Sequence, residues 1–139
     1  MGREILFKAK RTDNGEWITG YYFRANHHWH NHGIHEDWLI TNAIQNGGWC
    51  NVCSKYAIDR TTLCQYTGLT DKNGNKIWEN DVVVMKFYDC WGEGFIKYSK
   101  EKARFVYYEF EDDYYSFDDT CDIEVIGNIF DNPELMKEE

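Results

Sequence analysis

Between Gln65 and Val83 the chain reads Gln65-Tyr-Thr-Gly-Leu-Thr-Asp-Lys-Asn-Gly-Asn-Lys-Ile-Trp-Glu-Asn-Asp-Val-Val, with two turn signals, Thr67-Gly68 and Asn73-Gly74, set between short β-prone runs. Asn-Gly suits a tight hairpin because both residues tolerate positive φ. The block reads as a fixed structural corner between strands. It holds no set of groups that would do chemistry, so it speaks for fold and not for activity.

The rest of the chain repeats the pattern of short strands and frequent turns. Glu4 to Lys10 alternates, with Ile5, Phe7 and Ala9 on one face and Lys8 and Lys10 on the other. Asp13-Asn14-Gly15 turns the chain, and Trp17 to Phe23 returns to complete an N-terminal hairpin. Trp38-Leu-Ile-Thr is a short strand, Asn46-Gly47-Gly48 a turn, and Trp49 to Ile58 another strand. Asp81 to Phe87 is a buried strand by its β-branched content. Trp91-Gly-Glu-Gly reads as a turn, Phe95 to Tyr98 and Ala103 to Phe110 as strands paired around Ser99 to Lys102, Tyr114 to Phe117 as a further strand, and Ile123 to Phe130 as the last. Asn132-Pro133-Glu134 then opens a short helix, with Asn as cap and Pro at the first helical position. The expected structural turn residues are Gly15, Gly68, Gly74, Asn80 and Gly127. The expected fold is mainly β, a β-rich α+β arrangement in which N-terminal β-hairpins pack on a small barrel-like antiparallel sheet and a short helix ends the chain. A chain of 139 residues fits one domain over 1–139, with sub-lobes at 1–64 and 65–139.

Aromatic residues make up 17% of the chain, enough rings for a sheet protein of this size to bury a real core. The formal net charge is −9. Nucleic-acid binding calls for a basic stripe that displaces counterions from phosphates, and the nearest cluster, Lys97, Lys100, Lys102 and Arg104, runs into an acidic segment. The expectation is therefore no nucleic acid and, for the same reason of charge, no anionic membrane. No run reaches the ~20 apolar residues of a spanning helix. The N-terminus Met1-Gly-Arg-Glu-Ile-Leu lacks the apolar stretch of a signal peptide, which points to the cytoplasm and to reduced thiols for the five Cys.

With these residues laid out, the chain resembles the YopX family, small proteins encoded mainly by bacteriophages and prophages. The resemblance rests on Arg3-Glu-Ile…Phe7 followed by Asp13-Asn-Gly-Glu-Trp-Ile…Gly20-Tyr, on the block from Gln65 to Val82, and on Val125-Ile-Gly-Asn-Ile-Phe-Asp-Asn-Pro-Glu-Leu. Where the family pattern has Gly before the Asp of the second turn, this chain has Asn80, the next-best residue at positive φ. The segment from His27 to Cys64 departs from the family pattern, and what is particular to this member is expected there. The resemblance implies a phage-related setting and a β-rich fold. It carries no catalytic residues.

Several constellations invite chemistry. All five histidines (His27, His28, His30, His32, His35) lie within nine residues, and Cys50-Asn-Val-Cys53 is a C-x-x-C. His32 and His35 with Cys50 and Cys53 would make a tetrahedral zinc site. Against this, no second C-x-x-C follows, and on a strand Cys50 and Cys53 point to opposite faces. A redox pair would need the first Cys at a helix N-terminus, which a β-rich setting does not give. The acids between Glu109 and Asp122 lack the spacing of a calcium loop, and no glycine pattern matches a phosphate-cradling motif. Tyr21, Trp29, Trp38 and Trp49 remain as walls of an aromatic binding site.

The expected function is that of a non-enzymatic phage or prophage accessory protein that counteracts host defence by binding a host protein or a small signal molecule. Exposed sheet edges would favour a homo-oligomer. A zinc-binding structural protein and a DNA-associated regulator of phage gene expression are the alternatives.

Overall fold

A computed structural model describes residues 4–26, 35–42, 53–87, 90–109, 114–116 and 122–136. The chain is built almost wholly of strands: β1 (Phe7–Arg11), β2 (Trp17–Asn26), β3 (His35–Asn42), β4 (Cys53–Thr70), β5 (Lys76–Trp78), β6 (Asp81–Phe87), β7 (Cys90–Ser99), β8 (Arg104–Glu109), β9 (Tyr114–Ser116) and β10 (Ile123–Asn128), with a 3-10 helix over Pro133–Met136. They form two compact units, Glu4–Gln65 and the chain from Tyr66 onward. β4 belongs to the first unit up to Gln65 and to the second beyond it.

In the N-terminal unit every pairing is antiparallel and the ladder closes on itself. β1 pairs with β2 (Phe7↔Gly20 to Lys10↔Trp17), β2 with β3 (Tyr21↔Ile40 to Asn26↔His35), β3 with β4 (Trp38↔Ala57 to Asn42↔Cys53), and β4 returns to β1 (Arg11↔Ile58, Phe7↔Gln65). Closure gives both β1 and β3 a neighbour on each side. It requires β2 and β4 to change partners midway. In β2 the change falls at Gly20, where a Cβ would lie 2.4 Å from the Ile40 carbonyl oxygen. In β4 it falls between Ala57, the last partner of β3, and Ile58, the first of β1, and the β1–β4 pairing is itself interrupted between Asp59 and Cys64. There the Thr62 hydroxyl donates to the Asp59 carbonyl (2.7 Å) and accepts from the Lys10 N–H (2.8 Å), so the lost ladder bond is replaced. The Asp13-Asn14-Gly15 turn forms with Gly15 at φ 72°. Alternation along the strands sends Ala9, Leu39 and Ile58 inward, with Phe7, Ile18, Tyr22 and Leu63 packed against them.

In the C-terminal unit the sheet runs in the order β10-β6-β7-β8-β9. Its inner face gathers Val83, Met85, Ile96, Phe105, Tyr107 and Ile123 into one cluster with Ile77 from β5, and Leu69 and Val125 pack against it. The expected turn at Trp91–Gly94 is instead the first half of β7, paired with β6 from Phe87↔Cys90 to Val82↔Phe95. Gly94 answers a demand for space. A Cβ on Gly94 would stand 2.0 Å from the Tyr108 carbonyl oxygen and 2.8 Å from the Tyr107 ring.

The other glycines divide by cause. Gly74 turns the chain at φ 83°, while Asn73 keeps an ordinary negative φ, so the β4–β5 connection is a five-residue turn from Asp71 to Asn75 and not a two-residue hairpin. Gly68, at φ 90°, makes no turn between strands. It sits in a bulge within β4, where the Thr67 hydroxyl donates to the Ile77 carbonyl (2.8 Å) and accepts from the Leu69 N–H (3.2 Å). Gly127 likewise lies within β10, beside a bulge, and its missing side chain leaves room for the Asn132 carboxamide, whose oxygen would be 2.5 Å from a Cβ. That oxygen accepts from the Asn128 N–H (3.2 Å), so Asn132 closes the turn after β10 instead of capping the helix that follows.

Asn80 holds the second turn at φ 72°. Its N–H donates to the Ile96 carbonyl (2.8 Å), its carbonyl accepts from the Ile129 N–H (3.0 Å), and its side-chain oxygen accepts from Lys97 Nζ (2.6 Å). Asn80→Ala is expected to lower unfolding free energy by about 2 kcal/mol, from left-handed strain and a lost charge-assisted bond. Asn80→Gly, which relieves the strain, is expected to cost less than half of that. Urea unfolding of the two variants separates the terms.

Candidate functional site

The strand registers define an outer face on the N-terminal unit. In an antiparallel ladder directly opposed residues point to the same side. Tyr21 faces Ile40, which faces Lys55, and Phe23 faces Trp38, which faces Ala57. These six side chains make a strip across β2, β3 and β4, opposite to the face that carries Leu39 and Ile58 inward. Tyr21 is 52% exposed, a large cost in uncovered apolar surface for a ring with no core role. Lys55 places its ammonium 4.5 Å from the centre of the Trp38 ring. A cation over a Trp face is a favourable contact, and it leaves a positive charge beside an aromatic surface.

The strip has two of the four expected aromatic walls, Tyr21 and Trp38, as diagonal neighbours. Trp29 and Trp49 lie outside the described residues. Phe23, Ile40 and Lys55 belong with them and were not singled out from the sequence. The period-two alternation would have found Phe23 from Tyr21, and Ile40 from Trp38, once both segments were taken as strands.

The expected zinc ligands do not assemble in the same way. His32 and Cys50 lie outside the described residues. His35 and Cys53 are at opposite ends of the β3–β4 pair, since His35 opens β3 while Cys53 faces Asn42 at its other end. Seven strand steps at about 3.3 Å each separate them, roughly 23 Å, and one zinc ion binds ligands at about 2 Å. They cannot share an ion. Among the described residues no three His, Cys, Asp or Glu side chains cluster as metal ligands would.

On the inner side, the Tyr22 hydroxyl donates to Asp37 (2.5 Å), and Arg24 Nε stands 3.9 Å from the same carboxylate oxygen. Burial first, and then the bond to Asp37, push the Tyr22 phenol above its ordinary pKa. It is a fixed donor at neutral pH and serves to orient β2 on β3. Elsewhere, the outer edge of β10 is met by the 71–75 turn, through Lys72 N–H to the Ile123 carbonyl (3.0 Å) and Val125 N–H to Asp71 (3.1 Å). That edge is engaged and not open to a strand from another molecule. No helix among the described residues is long and apolar enough to cross a membrane.

Comparison with known proteins adds the following. The model of the family described as YopX protein matches residues 6–137. No curated protein matches the chain. Among solved structures, the crystal structure of protein EF1440 from Enterococcus faecalis superposes with a TM-score of 0.54 at 24% sequence identity, over 98% of this chain and 100% of that one. That likeness is one of fold.

Proposed function

The chain belongs to the YopX family, and from that premise we propose that it is a non-enzymatic accessory protein of a phage or prophage that acts by binding a component of the host cell. The observation that carries this reading is the outer strip of Tyr21, Phe23, Trp38 and Ile40 beside Lys55, set across the antiparallel β2–β3–β4 ladder. A sheet face presenting the exposed Tyr21 ring beside the half-buried rings of Phe23 and Trp38 suits recognition, because aromatic anchors supply contact area at small cost in conformational entropy. A host protein or a small signal molecule is the partner, and the setting is the cytoplasm of the bacterial host.

The test is capture from a bacterial lysate by the full chain and by a Tyr21→Ser/Trp38→Ala variant with an unchanged melting temperature, together with Trp fluorescence against a nucleotide-signal panel. Loss of a defined binder in the variant, by about tenfold or more, supports the reading. Identical capture by both proteins, with no fluorescence response, rejects it.

A further inference from the structure

The dipeptide Asn-Gly occurs three times in this chain, at Asn14-Gly15, Asn46-Gly47 and Asn73-Gly74. It is among the least durable pairs in a polypeptide. The glycine carries no Cβ, so its main-chain nitrogen easily reaches the carboxamide carbon of the asparagine before it. Once that nitrogen loses its proton it adds to the carbon, ammonia leaves, and a cyclic imide closes. Water then opens the ring at either carbonyl, giving aspartate or isoaspartate. Water enters and ammonia departs, and nothing is oxidised or reduced. In a folded chain the rate depends on how freely the carboxamide turns toward the glycine nitrogen. Asn46-Gly47 lies outside the described residues.

The other two sites differ at that carboxamide and in little else. Both asparagines are exposed. Their glycines stand at φ 72° and 83°, with open space where a Cβ would be. Both glycine N–H groups donate to a carbonyl at 3.0 Å, Gly15 to Arg11 and Gly74 to Asp71, so this bond restrains the two nucleophiles alike. The Asn14 carboxamide is pinned at both ends. Its oxygen accepts from the Glu16 N–H (2.9 Å), and its nitrogen donates to the Glu16 carboxylate (3.3 Å). The Asn73 carboxamide makes no hydrogen bond among the described residues. Only the Asn73 N–H is held, by Asp71 (2.9 Å).

We infer that Asn73-Gly74 is a site of spontaneous covalent modification, and that its isoaspartyl product loosens the turn in which it sits. Isoaspartate routes the main chain through the side-chain carbons. It adds a methylene between the N–H of residue 73 and the N–H of residue 75. Those two groups share one oxygen of Asp71, at 2.9 and 2.8 Å, and the lengthened turn loses one of the two bonds. Asp71 also holds the Val125 N–H of β10, so the change reaches the sheet. The turn is a slow chemical timer, driven by time and by alkaline pH, whose product is a less stable chain.

The experiment is peptide mass mapping of the full chain after incubation at physiological temperature, at neutral and at mildly alkaline pH. Releasing one surface hydrogen bond changes a rate about fivefold, so Asn73 should convert at least about fivefold faster than Asn14. Both aspartyl and isoaspartyl peptides should be recovered, and the rate should rise with pH. Glu16→Ala, which frees the Asn14 amide nitrogen, should raise the Asn14 rate about fivefold and leave Asn73 unchanged. The isoaspartyl protein, separated by ion exchange, should melt about 4 °C or more below the unmodified chain. Asn73→Gln, whose longer side chain closes the ring far more slowly, should keep its melting temperature through the same incubation. Conversion at Asn14 as fast as at Asn73, aspartate without isoaspartate, or no conversion at alkaline pH overturns the site. An isoaspartyl form that melts with the unmodified chain overturns the loosening of the turn.

Discussion

Replacing Asp71 by Asn is expected to lower the unfolding free energy by about 3 kcal/mol, the loss of several charge-assisted bonds at a buried site. Asp71 is 6% exposed, and its two oxygens accept from the N–H groups of Asn73 (2.9 Å), Asn75 (2.8 Å) and Val125 (3.1 Å) and from the Asn75 side chain (3.3 Å). An amide in its place turns a donor toward one of those N–H groups. Burial alone would raise the carboxyl's pKa, but the three backbone donors outweigh it, and the pKa is lowered. The sign of the pH dependence follows. A folded-state pKa below the unfolded value means that the contribution is fully present above about pH 4, where the unfolded carboxyl is also ionised. It is lost as pH falls through the lowered folded-state value. The stability gap between the protein and Asp71→Asn, measured by chemical unfolding, is therefore expected to be constant from pH 7 to about pH 5 and to shrink below pH 4. A gap that grows on acidification would contradict the role given to this carboxylate.

Gly94→Ala is expected to be at least as damaging, with a loss of more than about 3 kcal/mol or failure to fold. An added methyl would stand 2.0 Å from backbone and 2.8 Å from the fully buried Tyr107 ring. Backbone cannot rotate away as a side chain can, so the β7–β8 pair must separate or Tyr107 must leave the core. Gly15→Ala provides the contrast. No atom lies within 4 Å of a Cβ there, and only the cost of its φ of 72°, about 1 kcal/mol, is expected. Thermal unfolding of the two variants distinguishes crowding from backbone strain. Equal effects would mean that β7 is not packed as described.

These two positions also show what the sequence discloses. The turns at Gly15, Gly74 and Asn80 were legible because positive φ selects Gly and Asn by a local rule. Trp91-Gly-Glu-Gly was misleading because the same residue type serves a different purpose in β7. There glycine is required by a neighbouring strand fourteen residues on, and nothing local encodes that contact. Gly68 and Gly127 are similar, marking bulges within strands where Thr67 and Asn132 supply the compensating bonds. Closure of the N-terminal ladder depends on β4 returning to β1 across 47 to 58 residues, from Arg11↔Ile58 to Phe7↔Gln65, which no local window of the sequence contains. The outer strip was half legible. Tyr21 and Trp38 stood out as aromatic, but joining them to Phe23, Ile40 and Lys55 needed the register between strands. Of the expected zinc ligands, His35 and Cys53 stand at opposite ends of the β3–β4 pair, a separation that only the register discloses, and His32 and Cys50 lie outside the described residues.

The central claim is that the YopX chain recognises a partner through the outer face of β2, β3 and β4. A photo-crosslinking residue at Tyr21, compared with the same residue at the similarly exposed Tyr98 of the C-terminal unit (47%), tests it in bacterial lysate by intact mass. The account predicts a discrete adduct at Tyr21, lost in Trp38→Ala, and none at Tyr98. Adduct formation at Tyr98 alone, or at neither position, would contradict it.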